Sequence, residues 1–143
     1  MKIIKSKNYI RIEKKAQSIV LYHGTDYGGD DLQINNSETG EAIFLFDNGW
    51  SAEEYGRYIH EVSVNINNPF VFDAEGESWF NVSQRRIIDN AKRDGHDAVI
   101  FKNIRDGKYN SFISDSVYAV FNIGSINVLR TIDTVENPKW YLG

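Results

Sequence analysis

Tyr58-Ile59-His60-Glu61-Val62-Ser63-Val64-Asn65-Ile66 alternates strictly. Tyr58, His60, Val62, Val64 and Ile66 fall on one side, and Ile59, Glu61, Ser63 and Asn65 on the other. A period of two marks a half-buried β-strand, in which successive side chains point to opposite faces. Asn67-Asn68-Pro69 ends the run, and Phe70-Val71-Phe72 starts a new short strand.

The elements on either side follow from the same reading. Upstream, Ser18-Ile19-Val20-Leu21-Tyr22-His23 is a continuous β-type run and reads as a buried strand. Residues 26–41 are rich in Gly, Asp, Asn and Ser and read as a loop, and residues 42–46 as a short strand. Ser51 followed by Glu54 is a capping box, which opens a short helix over 51–58. Downstream, Ser83 caps a helix over 84–93 with Ile87, Ile88 and Ala91 as its apolar stripe, and Gly95 stops it. Residues 97–102, 117–121 and 126–129 read as strands, 103–116 as a polar loop, and 1–15 as an edge strand or lead-in. Strands dominate and the helices cluster mid-chain, so the fold class is α+β rather than alternating α/β. No repeat, low-complexity tract or linker divides the chain, and residues 1–143 read as a single domain.

Composition removes several classes of function. The 143 residues, 41% hydrophobic and 25% charged, are those of an ordinary soluble globular domain. A net charge of −4 argues against a nucleic-acid partner, because phosphate binding needs clustered Lys and Arg. Lys2, Lys5, Lys7, Arg11, Lys14 and Lys15 do crowd together, but such a run reads first as a solvated face. The absence of cysteine removes disulfides, thiolate nucleophiles and Cys-based zinc sites, and it accords with a cytoplasmic location. No apolar stretch is long enough to span a bilayer and none reads as a secretory signal, so no membrane partner is expected. The sequons at Asn35 and Asn81 then carry no weight.

Common site motifs are missing. No G-x-G-x-x-G follows a strand, and Gly107-Lys108-Tyr109 lacks the rest of a phosphate loop. His23, His60 and His96 have no metal-ligand spacing, and Asp26, Asp30 and Asp31 follow no calcium-loop register, so no metal is expected. Gly124-Ser125-Ile126 is not a nucleophile elbow.

What remains is an ordered set of short signatures. Tyr22-His23-Gly24-Thr25 ends the first buried run, and Ala42-Ile43-Phe44-Leu45-Phe46-Asp47 follows. Next come Ser51-Ala52-Glu53-Glu54-Tyr55-Gly56 and Asp94-Gly95-His96-Asp97-Ala98-Val99-Ile100-Phe101-Lys102-Asn103. Tyr118-Ala119-Val120-Phe121-Asn122 closes the set. Together they resemble the small ADP-ribosyltransferases of phages and mobile elements, especially those of polyvalent proteins, over residues 20–129. The resemblance implies two small, mostly antiparallel sheets around an NAD cleft, with flanking helices and with His23 and Tyr55 facing that cleft. It implies NAD as substrate and a protein of a host or competitor cell as target, a CRISPR effector complex among the candidates. On it, His23, Gly24 and Thr25 bind the NAD ribose and nicotinamide amide, Phe44 lines the pocket, and Tyr55 stacks on nicotinamide. The chemistry suits those residue types. Breaking the nicotinamide–ribose bond builds positive charge on the ribose, so the ring must be clamped, the hydroxyls held and a carboxylate placed near that charge.

The sequence departs from the family pattern in two places. The usual Glu directly before the Tyr of the closing strand is Val117 here, and Phe44 stands where many relatives have Tyr. Asp115 is therefore the nominated catalytic acid, with Asp106 in the same loop as its fallback. The leading expectation is an NAD-dependent mono-ADP-ribosyltransferase. The alternatives are a catalytically inactive NAD- or protein-binding module of the same fold and an NAD glycohydrolase. His60 is expected to be structural, and His96 to be capping or solvated.

Overall fold

The computed structural model describes residues 2–6, 9–13, 17–29, 35–37, 40–105 and 115–142. In chain order the strands and helices are β1 (Lys2–Ser6), β2 (Tyr9–Glu13), β3 (Gln17–Thr25), β4 (Asn35–Ser37), β5 (Gly40–Phe46), α1 (Gly49–Glu53), β6 (Tyr58–Ile66), β7 (Pro69–Asp73), α2 (Gln84–Arg93), β8 (Ala98–Ile104), β9 (Asp115–Val120) and β10 (Ile126–Asp133). β1 and β2 form an antiparallel pair of their own. The main sheet runs β10-β6-β3-β5-β9-β8-β7, with β4 added to β5. Its pairings are antiparallel except β7 with β8, which α2 connects as a crossover.

The α+β class holds, but the expectation of two separate sheets is corrected to one sheet with a weak seam. Only Tyr22 and Phe46 pair between β3 and β5, whereas β3 and β6 pair along nine consecutive residues, Gln17 to Thr25. Two strongly laddered halves, β10-β6-β3 and β5-β9-β8-β7, thus meet through a single residue pair.

The core explains how the halves are held. One apolar cluster lies on the side of both helices and contains Ala52 of α1, Ile88 and Ala91 of α2, and Phe46, Ile59, Val99, Phe101, Val117 and Ala119 of the strands. The second joins Leu21, Val62, Val64 and Ile66 of one half to Ile43, Leu45, Ala98 and Val120 of the other, and neither helix contributes to it. Period-two alternation produces this division: Ile59 goes to the helix side, while Val62, Val64 and Ile66 go to the opposite side. Burying both faces is what keeps a sheet with one seam pair together, because each buried Val, Leu, Ile or Phe side chain contributes about 1.5–3 kcal/mol.

The two helices start differently from one another. α1 begins earlier than the capping-box reading placed it, because Asn48 supplies the cap: its side-chain carbonyl accepts from the Ser51 amide at 2.9 Å. Ser51 is therefore inside the helix and not its cap. α2 keeps the expected bounds, with Ile88 and Ala91 buried, and ends where Gly95 turns to a φ of +87°.

Candidate active site

The signature residues converge on the seam between β3 and β5. His23 lies one residue beyond the seam pair Tyr22–Phe46 and is half-buried. Its Nδ1 lies 3.0 Å from the Phe44 carbonyl oxygen. A carbonyl only accepts, so Nδ1 carries the proton and donates, which leaves Nε2 as the acceptor nitrogen of a neutral ring. Burial pushes the His23 pKa below its ordinary value, and the Phe44 carbonyl, which favours the charged form, offsets part of that shift. The buried His60 lies opposite it in the ladder, with the rings nearly parallel (9°) and centroids 6.3 Å apart. Nδ1 of His60 hydrogen-bonds the Thr131 hydroxyl at 2.8 Å, so His60 ties β6 to β10.

Gly24 faces the other way. A methyl group at Gly24 would overlap the Ala52 carbonyl oxygen and press on Tyr55 Cβ. Glycine at this position is what lets α1 seat against β3. Thr25 accepts from the Tyr27 amide through its hydroxyl at 3.2 Å and so shapes the turn that leaves β3.

Tyr55 follows α1 and is 42% exposed. Its ring stacks on Phe46 with centroids 5.3 Å apart and 22° between planes. Phe44 shares the helix side of β5 but meets Trp79 edge-on at 5.8 Å, and Trp79 in turn meets Phe101 at 5.1 Å. The expected single cleft facing both His23 and Tyr55 is therefore corrected. By alternation their side chains occupy opposite faces of β3, and what they share is the seam at the strand's edge.

The carboxylate side of the site rests on β9. Asp115 opens β9 opposite Ile104, and its side chain lies outside the described residues, as does Asp106 altogether. Val117, at the usual Glu position, is 1% exposed, pairs with Phe46 across the sheet and belongs to the helix-side core. It stands on the face that carries Tyr55, but enclosed in apolar surroundings.

A family profile describing ADP-ribosyltransferases in polyvalent proteins matches residues 13–127. The chain belongs to this family. Among solved structures, one described as "Crystal structure of an anti-CRISPR protein" is similar over 83% of this chain and 98% of that one. The TM-score is 0.50 at 16% identity, a likeness of fold. No curated protein matches the sequence.

As a polyvalent-protein ADP-ribosyltransferase, the chain brings Gly24, Tyr55 and Phe46 together under α1, and His23 with His60 and the Phe44 carbonyl. Sequence reasoning passed over Phe46, which packs against Tyr55 where Phe44 does not. The signal was available: Phe44 and Phe46 share one face of a period-two strand, and Phe46 is nearer to α1 in sequence. Sequence reasoning also missed Trp140, whose indole lies against Gly49 at the start of α1. Nothing in residues 126–142 flagged that contact, because it joins positions about ninety apart in sequence. Among the described residues no group of His, Asp and Glu could hold a metal, and no helix is long and apolar enough to cross a membrane.

Proposed function

We propose that this chain is an NAD-dependent mono-ADP-ribosyltransferase that modifies a protein of a host or competitor cell. The observation that carries the reading is the family match over residues 13–127, in which Gly24 and the half-exposed Tyr55 ring meet on the helix side of the seam while His23 stands at the seam on the opposite face of β3. The residues fit the substrate in kind. Tyr55, backed by Phe46, offers a flat aromatic wall to nicotinamide. Neutral His23, with its proton committed to the Phe44 carbonyl, offers Nε2 as an acceptor for a ribose hydroxyl. In the reaction the bond from ribose C1′ to the nicotinamide nitrogen breaks, nicotinamide departs with the bonding electrons, and a side-chain nucleophile of the target attacks C1′ and gives up its proton. Asp115 is the proposed acid. A bacterial defence component as target draws its support from the likeness of fold to a structure described as that of an anti-CRISPR protein.

A second reading, an inactive binding module of the same fold, is favoured by one observation: Val117 fills the usual Glu position with a buried apolar side chain. Incubation with NAD, with and without host lysate, separates the readings, with His23→Ala as control. Lysate-dependent labelling that His23→Ala abolishes supports the transferase. Nicotinamide release without labelling points to a glycohydrolase, and neither signal points to the binding module.

A further inference from the structure

The segment of residues 133–142 lies beyond the family match, which ends at 127, and it touches both ends of the stretch that carries Tyr55. At the start of that stretch, a methyl group on Gly49 would run into the Trp140 indole. Trp140 also meets Tyr22 of the seam pair at 6.2 Å, and Tyr141 packs on Trp50 at 4.5 Å. At the end of the stretch, Arg57 makes a two-pronged contact with Asp133, at 2.8 and 2.6 Å. The Arg57 carbonyl accepts from the Thr134 amide at 3.0 Å and from its hydroxyl at 2.6 Å. Inside the segment, the Asn137 amide donates to the Asp133 carbonyl and the Trp140 amide to the Asn137 carbonyl, at 2.8 and 3.1 Å. Between the two anchor points it stands off from β10, leaving a cavity of about 560 Å³ lined by Arg130, Ile132, Asn137, Lys139 and Trp140. The segment thus reaches residues 49–57 at both ends, and Trp140 also packs against the helix-side core of the sheet.

We propose that Trp140 is a positioning residue for Tyr55, the keystone of a clasp that fixes residues 49–57 against β3. The proposal rests on the reading of Tyr55 as the nicotinamide wall. α1 has five residues, too few to hold its own geometry in water, so its orientation must come from what packs on it. Gly24 supplies a close fit on one side, and Trp140 at Gly49 supplies the brace at the helix start. The indole nitrogen of Trp140 is buried without a hydrogen-bond partner, so the ring acts by shape and not by donating.

The test uses Trp140→Ala and Trp140→Phe in the full chain. It reads NAD affinity by calorimetry and hydrogen exchange along the backbone. Trp140→Ala is expected to weaken NAD binding about tenfold, or about 1.4 kcal/mol, the scale of one aromatic stacking contact. Exchange is expected to rise over residues 49–57 while β6 and β8 stay protected. Trp140→Phe is expected to fall between the wild type and Trp140→Ala, because the smaller ring keeps an aromatic face but loses the far edge of the indole that lies against Gly49. The proposal is overturned if exchange in Trp140→Ala stays unchanged at 49–57, or if it rises evenly through the sheet. Should the wild-type protein not bind NAD at all, the nicotinamide-wall reading is what fails, and the exchange measurement alone then upholds or overturns the clasp.

Discussion

His23 donates from Nδ1 to the Phe44 carbonyl oxygen, 3.0 Å away, across the line where β3 and β5 part. One side chain takes over there from a backbone ladder that stops at Tyr22 and Phe46. The bond fixes the tautomer, and burial keeps the ring neutral.

That arrangement sets a pH dependence with a definite sign. The folded-state pKa of His23 lies below its ordinary value, so the unfolded chain takes up the proton first. Its contribution to stability is complete above about pH 6.5 and declines as the pH falls through that value toward the lower folded pKa. Urea midpoints measured from pH 7.5 down to 5 should fall, and His23→Gln should flatten the slope. An identical slope in the variant would show that another group carries the titration.

Gly24 should tolerate no side chain. In Gly24→Ala the new methyl meets the Ala52 carbonyl oxygen, a backbone atom with no rotamer to escape into. Overpacking of this kind costs about 1–3 kcal/mol, and the movement that relieves it displaces α1 and Tyr55. A lower urea midpoint together with a loss of NAD binding is expected. If the variant melts like the wild type, α1 is not seated on β3 as described.

The strand of Tyr58–Ile66 was readable from its alternation, because a period of two leaves one assignment for each side chain. α2 was readable because Ile88 and Ala91 lie on one helical face and Gly95 ends it. The start of α1 was not, because Asn48 and Ser51 are both good caps and only the local fold selects between them. β10 runs on to Asp133, four residues past its apolar run, because an irregularity between Val128 and Arg130 resets its register on β6. The site was legible as residue types in order, which is what the family match records. Its division across two faces of β3 was not, because a pattern along one strand says nothing of a neighbouring strand that pairs at a single position.

Val117 separates the two functional readings. Val117→Glu restores the family's carboxylate on the face that carries Tyr55, but in a position 1% exposed and enclosed by apolar side chains. An unpaired buried carboxylate costs several kcal/mol, of the order of 3–5 when no partner offsets it. The expected result is a clear loss of thermal stability with no gain in nicotinamide release. A stable variant with raised release would mean that the position opens to the site, and that the wild-type chain had lost its acid there.

Arg57 and Asp133 predict an acid-limb effect at the far end of the clasp. The two-pronged guanidinium contact holds the Asp133 carboxyl down at about 2, helped by the amides of Val135 and Glu136, which donate to the same oxygen at 3.0 and 3.3 Å. A depressed carboxyl pKa stabilises the folded chain above the unfolded value near 3.9, and that contribution is lost as pH falls from there through about 2. Thermal midpoints taken between pH 5 and 2 should therefore fall less steeply in Asp133→Asn than in the wild type. Arg57→Lys should fall between them, because an ammonium keeps the charge and loses the fork. Equal acid slopes in all three proteins would mean that the contact forms without stabilising the fold, as exposed ion pairs often do. The anchor at Trp140 would then have to hold residues 49–57 alone.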